Sequence, residues 1–187
     1  MGGFGAWCAA LVRGVASGRT RSRRVAQVRV GARGRLAQLP AMSTPERPRP
    51  ELRTAYRVFR AITTRWMDND QYGHVNNVIY YSWFDTAVNA YLIEQGALDT
   101  ARSDTIGLVV ETQCHYFASL SFPQPVEAGI RVAHMGSSSV RYEVGLFAQG
   151  AEQTAARGHF VHVYVDRATQ RPTALPAALR AALAPLN

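Results

Sequence analysis

Residues that could do chemistry crowd one short run: Asp70-Gln71-Tyr72-Gly73-His74-Val75-Asn76-Asn77-Val78-Ile79-Tyr80. Asp70 places a carboxylate six or seven residues ahead of a segment that reads as a helix start. The free amides that open a helix carry about half a positive charge. They can receive an oxyanion as it develops, without a metal ion. Gly73 lets the backbone approach a ligand closely. A carboxylate nearby can attack a carbonyl carbon or deprotonate a water that does so. Together these are the parts of an acyl-group hydrolase.

Particular elements must hold those groups in place. Asn76 and Asn77 suit a helix start, because asparagine side chains cap free backbone amides. Val78 to Leu92 carries apolar residues around most of its circumference, so the helix should be largely covered. Gly96 supplies its stop. Before it, β-branched and aromatic residues from Tyr56 to Trp66 predict a strand. After it, strands are expected near Ile106–Phe117, Val126–Met135, Val140–Ala148 and Ala155–Val165. Gly136-Ser137-Ser138 and Gln149-Gly150 should turn the chain between strands. Pro176–Leu183 reads as a short terminal helix. One strand, one helix and four closely joined strands make an α+β domain, with an antiparallel sheet packed on one helix. A single sheet with a single helix leaves apolar strand positions uncovered, so a second subunit is expected to cover them or extend the sheet.

The chain has 187 residues, 47% of them apolar and 18% charged. That suits one domain with a real core. Its net charge of +8 is unevenly spread. There is no lysine, and residues 1–45 hold eight arginines with no acidic residue, whereas the remainder has 13 arginines and 13 acids. A nucleic-acid-binding role for the folded part is therefore not expected. We divide the chain into residues 1–50, an Arg-rich and disordered extension, and residues 51–187, the folded domain. Three readings of residues 1–41 stand open: a start codon set too early, with Met42 the true beginning; a mitochondrial-type targeting segment; or a basic binding arm. Without a targeting segment the protein is expected in the cytoplasm. No window of about 18 continuously apolar residues predicts a spanning helix. Cys8 and Cys114 form no cluster with histidines, so neither a disulfide scaffold nor a zinc site is expected.

The run Asp70-x-x-Gly73-His74-Val75-Asn76-Asn77-x-x-Tyr80 resembles the signature of hotdog-fold acyl-CoA thioesterases of the 4-hydroxybenzoyl-CoA thioesterase type. The resemblance extends from about Tyr56 to Arg171 and includes Pro123-x-Pro125-Val126 and Gly136-Ser137-Ser138-Ser139-Val140-Arg141-Tyr142. It implies a hotdog fold, a five-stranded antiparallel sheet wrapped on a central helix. It implies hydrolysis of an acyl-CoA with no cofactor, in a homodimer or homotetramer whose active site lies between subunits. It makes Asp70 the catalytic carboxylate and the backbone amide of Asn77 the carbonyl's donor, with His74 close by. Gly73, Asn76 and Tyr80 would lie along the substrate. The 4-hydroxybenzoyl-CoA branch carries basic residues in the turn that here reads Gly136-Ser137-Ser138-Ser139, and those charges are absent. Arg141 and Arg131 are the candidate substitutes for gripping CoA phosphates.

Each residue also has an ordinary structural reading. Asp70 serves as a turn residue bonded to nearby backbone, and Asp68 is the alternative carboxylate, read as structural. His74 either orients a water or the carbonyl, or bridges loop and helix. Tyr80, Trp83 and Phe84 serve as core. Glu111 reads as a polar strand or interface residue. His115, His134, His159 and His162 lack metal-ligand spacing and receive no site role. Two other functions compete with hydrolysis: an acyl-thioester hydratase or dehydratase using Asp70 and His74 as acid and base, and a non-catalytic acyl-CoA-binding protein.

Overall fold

A computed structural model describes residues 47–187. The readings of residues 1–46 fall outside the described residues. The elements run β1 (Val58–Ile62), α1 (Asn77–Glu94), β2 (Thr105–Tyr116), β3 (Val126–Met135), β4 (Ser139–Ala148), β5 (Ala156–Asp166) and α2 (Ala177–Leu183). The strands form one antiparallel sheet in the order β1-β3-β4-β5-β2. With α1 packed on one face, this is the expected hotdog architecture.

Alternation sorts the sheet's side chains. Val140, Tyr142, Val144 and Leu146 of β4 are fully buried and join the α1 residues Tyr80, Trp83, Phe84, Val88 and Leu92 in one core. Gly158 of β5 lies directly beneath Phe84; a Cβ there would overlap the ring. The opposite sheet face is held differently. Tyr56 meets Phe59 and Phe147 edge to face, and Phe59 and Phe147 pack at a tilt of 60°. Beside them Arg131 bonds Glu143 at 2.6 Å and Glu51 at 3.0 Å, and Arg157 also bonds Glu51.

The helix is bounded where asparagine and glycine predict. Asn76 accepts the amide of Val78 through its side chain at 3.2 Å. Gly96 takes a positive φ just past the end. Only glycine sits there without strain. The helix, expected to be largely covered, is covered on one side and open on the other. Tyr80, Trp83, Phe84, Ala87, Val88, Tyr91 and Leu92 are buried, whereas Val78 and Ile93 are 59% and 49% exposed and Ser82, Asp85 and Thr86 face outward.

The first strand is also shorter than expected. It pairs with β3 from Val58↔Ile130 to Ile62↔Val126 and stops there. The next residue of the partner strand's chain is Pro125, which has no amide to donate. Beyond Ile62 the chain leaves the sheet and turns through Trp66–Asp68 toward the candidate site. At the other edge, β2 leaves Leu108, Val109 and Val110 exposed by 40%, 46% and 60%. That row is the uncovered apolar surface anticipated above. The C-terminal segment completes the core with Leu175, Leu179, Leu183 and Leu186. Among the described residues no helix is long and apolar enough to cross a membrane.

Candidate active site

The segment between β1 and α1 is tied down from both ends. Asp68 is fully buried and accepts from Arg65 three times: its backbone amide at 2.8 Å, Nε at 3.1 Å and Nη2 at 3.0 Å. The carbonyl of Asp68 takes the amide of Asn76 at 2.8 Å, which anchors the helix cap. Asp68 is thus fully occupied in structure.

Residues 69–75 form a small loop closed on itself. Asn69 bridges Val75, the amide of Asp70 donates to the carbonyl of His74 at 2.8 Å, and Gly73 donates back to Asp70 at 3.2 Å. Gly73 adopts a positive φ, which explains glycine at that position. The half-buried Asp70 therefore lies against His74 through the backbone. One oxygen of its carboxylate accepts the amide of Tyr72 at 2.8 Å. The other has no hydrogen-bond donor among the described residues. The side chain thus serves the turn and keeps one oxygen uncommitted.

The helix start offers the electropositive group. The first amides of a helix have no partner within it. Asn76 takes the amide of Val78 through its side chain, and its carbonyl takes that of Ile79 at 2.9 Å. The amide of Asn77 has no acceptor among the described residues. Asn77, His74, Val75 and Tyr80 line an open cleft of about 330 Å3, whose far wall is Tyr116, Phe117, Ala118 and Ser119. Tyr80 meets Tyr116 edge to face at 5.0 Å, so aromatic surface flanks the free amide.

The single chain brings together His74, Asn77 and Tyr80. Asp70, Gly73 and Asn76 adjoin them in sequence but do not line the cleft. Arg141 lies elsewhere, on the sheet face opposite α1, 3.5 Å from Glu111 and 4.0 Å from Glu143. Arg131 is held there too, between Glu51 and Glu143. Neither arginine reaches this cleft within the protomer. The basic group at the Gly136–Ser139 turn is instead Arg180 of α2, which donates to the carbonyls of Gly136 and Ser137 at 2.9 and 3.2 Å. Sequence reasoning missed it because nothing local links α2 to that turn. It also missed the wall from Tyr116 to Ser119, which only the fold brings opposite Asn77.

Fold and site together define a protein of the hotdog thioesterase class. Residues 64–183 match the family model described as the thioesterase-like superfamily, and the chain belongs to that superfamily. It is similar to the PA5185 protein of Pseudomonas aeruginosa strain PAO1, with 55% identity and a TM-score of 0.73 over 74% of this chain and 97% of that one. It is also similar to BH1999, a gentisyl-coenzyme A thioesterase, with 25% identity and a TM-score of 0.59 over 68% and 99% of the two chains. Among curated proteins it resembles the uncharacterized protein YsmA of Bacillus subtilis strain 168, 24% identical over 93 residues. That match spans 50% of this chain and 63% of YsmA.

Proposed function

We propose that the protein hydrolyses an acyl-CoA thioester to a free acid and coenzyme A. One observation carries this reading: the unpaired amide of Asn77 opens α1 at the floor of an aromatic-flanked cleft, beside the loop that holds Asp70. The thioester carbonyl oxygen would accept from that amide and from the positive end of the helix. The hydrogen bond strengthens as the oxygen gains charge in the transition state, which is where catalysis needs it. The uncommitted oxygen of Asp70 would deprotonate a water or attack the carbonyl carbon itself. His74 lines the same cleft and would orient the water or the substrate. The similarity to a gentisyl-coenzyme A thioesterase supports CoA as the leaving group.

In this reading a second copy adds its β2 edge to the apolar row at Leu108–Val110, giving a homodimer or homotetramer with the cleft at the subunit boundary. Arg141 of one copy would then serve the cleft of the other. The test is a thiol-release screen across acyl-CoAs that differ in chain length and ring content, run beside an enoyl-CoA hydration assay. Thiol release without hydration sustains hydrolysis. Hydration without thiol release overturns it in favour of a hydratase.

A further inference from the structure

Three loops meet at one end of the sheet, where β1, β2 and β4 finish and β3 and β5 begin. They are residues 63–76, 117–125 and 149–155. Hydrogen bonds run from one to the next. The amide of Val75 donates to the carbonyl of Leu120 at 2.8 Å, and that of Phe122 to Asn69 Oδ1 at 3.0 Å. The amides of Phe117 and Ala118 both donate to the carbonyl of Ala155, and Thr154 exchanges two bonds with Glu51. Glu51 is therefore fastened at the same end as the site loop, and residues 47–50 lead into it.

This end displays apolar surface that nothing in the protomer covers. Tyr72, Trp66 and Met67 are 85%, 83% and 72% exposed, more than any other large apolar side chain among the described residues. Single exposed apolar residues are ordinary, but a group of them marks an interaction site. Trp66 meets Phe122 edge to face at 6.1 Å, which joins two of the loops in one patch. The display is also held in place. The turn that carries Trp66 and Met67 ends at Asp68, whose carboxylate is fully buried and takes three bonds from Arg65. With that anchor turned inward, the two preceding side chains are turned out. Across the loop, Asp70 accepts the amide of Tyr72 and fixes its backbone. A patch fixed in advance docks with little loss of conformational freedom.

Charge completes the pattern. From residue 50 onward, 11 arginines stand against 12 acids. The segment that enters at this end is different: residues 1–49 carry ten arginines and a single acid, Glu46. Arg47 and Arg49 are exposed. Tryptophan and tyrosine favour the boundary between water and lipid, where the ring and its polar edge are each satisfied. An arginine-rich segment is drawn to anionic headgroups. Stable attachment to a bilayer takes two such signals, and this chain brings both to one end. We propose that this end docks on an anionic lipid surface, with Trp66, Met67 and Tyr72 entering the headgroup region and the arginines of residues 1–49 supplying the attraction. The inference goes beyond the hydrolase reading and does not depend on it.

The experiment uses the full chain without substrate. Co-sedimentation compares vesicles of phosphatidylcholine alone with vesicles of phosphatidylcholine mixed with phosphatidylglycerol. Partitioning should be about tenfold stronger on the anionic vesicles and should collapse at high salt. The triple variant Trp66→Ser/Met67→Ser/Tyr72→Ser removes the apolar display and leaves Arg65 and Asp68 in place. Its partitioning should fall about fivefold at an unchanged melting temperature. Depth is read with brominated lipids, which quench tryptophan inside the bilayer. A Trp7→Phe chain should be quenched, and adding Trp66→Phe should abolish the quenching, since Trp83 is 4% exposed within the core. That readout decides the matter even where the triple variant fails to fold. Equal partitioning on both kinds of vesicle, or quenching that survives Trp66→Phe, overturns the proposal. So does a folded triple variant that binds as well as wild type, which would leave the arginines acting alone. Sedimentation velocity tests the other occupant: a triple variant that loses self-association makes the patch a contact between copies and overturns lipid docking.

Discussion

Tyr116, the last residue of β2, donates its hydroxyl to the carbonyl of Asn77, the first residue of α1, at 3.2 Å. An edge strand thus holds the peptide unit beside the amide that the proposed reaction uses. Tyr116→Phe removes that tie and keeps the ring against Tyr80. A neutral hydrogen bond contributes about 0.5–1.5 kcal/mol, so thermal melting should move little. If ~1 kcal/mol of positioning is lost in the transition state, kcat falls about fivefold. Steady-state kinetics beside a thermal melt checks both halves.

Asp70→Asn tests the carboxylate. The amide oxygen of asparagine can still accept from Tyr72, so the loop should survive. The proton acceptor or nucleophile is gone, and kcat should drop by at least ~100-fold at an unchanged melting temperature. Normal turnover in a folded variant would remove Asp70 from the mechanism.

Asn77→Pro tests a backbone group by an unusual route. Proline is well tolerated at the first position of a helix, where its missing amide has no intrahelical partner. The preceding Asn76 already has the extended ψ that a following proline demands. The substitution deletes the proposed oxyanion donor and spares the fold. Turnover should fall by ~100- to ~1,000-fold. Asn77→Ala, which keeps the amide, should remain near wild type; equal losses in both variants would point to the side chain instead.

Acid should weaken the fold through His162. Burial disfavours its imidazolium and outweighs the attraction of Asp85, holding the pKa below the ordinary 6.5. The unfolded chain therefore takes up the proton first. The stability contributed by the neutral ring is whole above pH 6.5 and is lost as pH falls from there toward the depressed folded value. Urea midpoints measured from about pH 7.5 to about pH 5 should decline in wild type and decline less in His162→Phe. Parallel curves would contradict this assignment.

Chelation offers a separate check. Neither the amide of Asn77 nor the carboxylate of Asp70 needs a metal to act in the proposed scheme. Thiol release should be unchanged after dialysis against EDTA. Loss of activity, restored by a divalent cation, would call for a different mechanism.

Much of the architecture was legible because its boundaries are local. Asn76 and Gly96 mark the helix by capping chemistry, and alternation in Val140–Leu146 marks the buried face of β4. The limit of β1 was not legible, because it depends on Pro125, more than sixty residues away, standing just before the neighbouring strand β3. The candidate site divides in the same way. The loop from Asp70 to Asn77 is contiguous, and its motif was visible. The wall at Tyr116–Ser119, the Arg180 contact with the Gly136 turn and the burial of His162 arise from long-range packing. No residue near any of them in the chain announces the neighbour it will meet.

The leucines at positions 179, 183 and 186 are buried in the same core as Phe84 of α1 and Val144 of β4. Synthesis on the ribosome delivers them after everything they cover. The nascent domain must therefore wait with one side of its interior open until residue 186 clears the exit tunnel. During that interval exposed apolar surface is open to other chains, which makes the delivery of residues 179–186 a point of risk for aggregation.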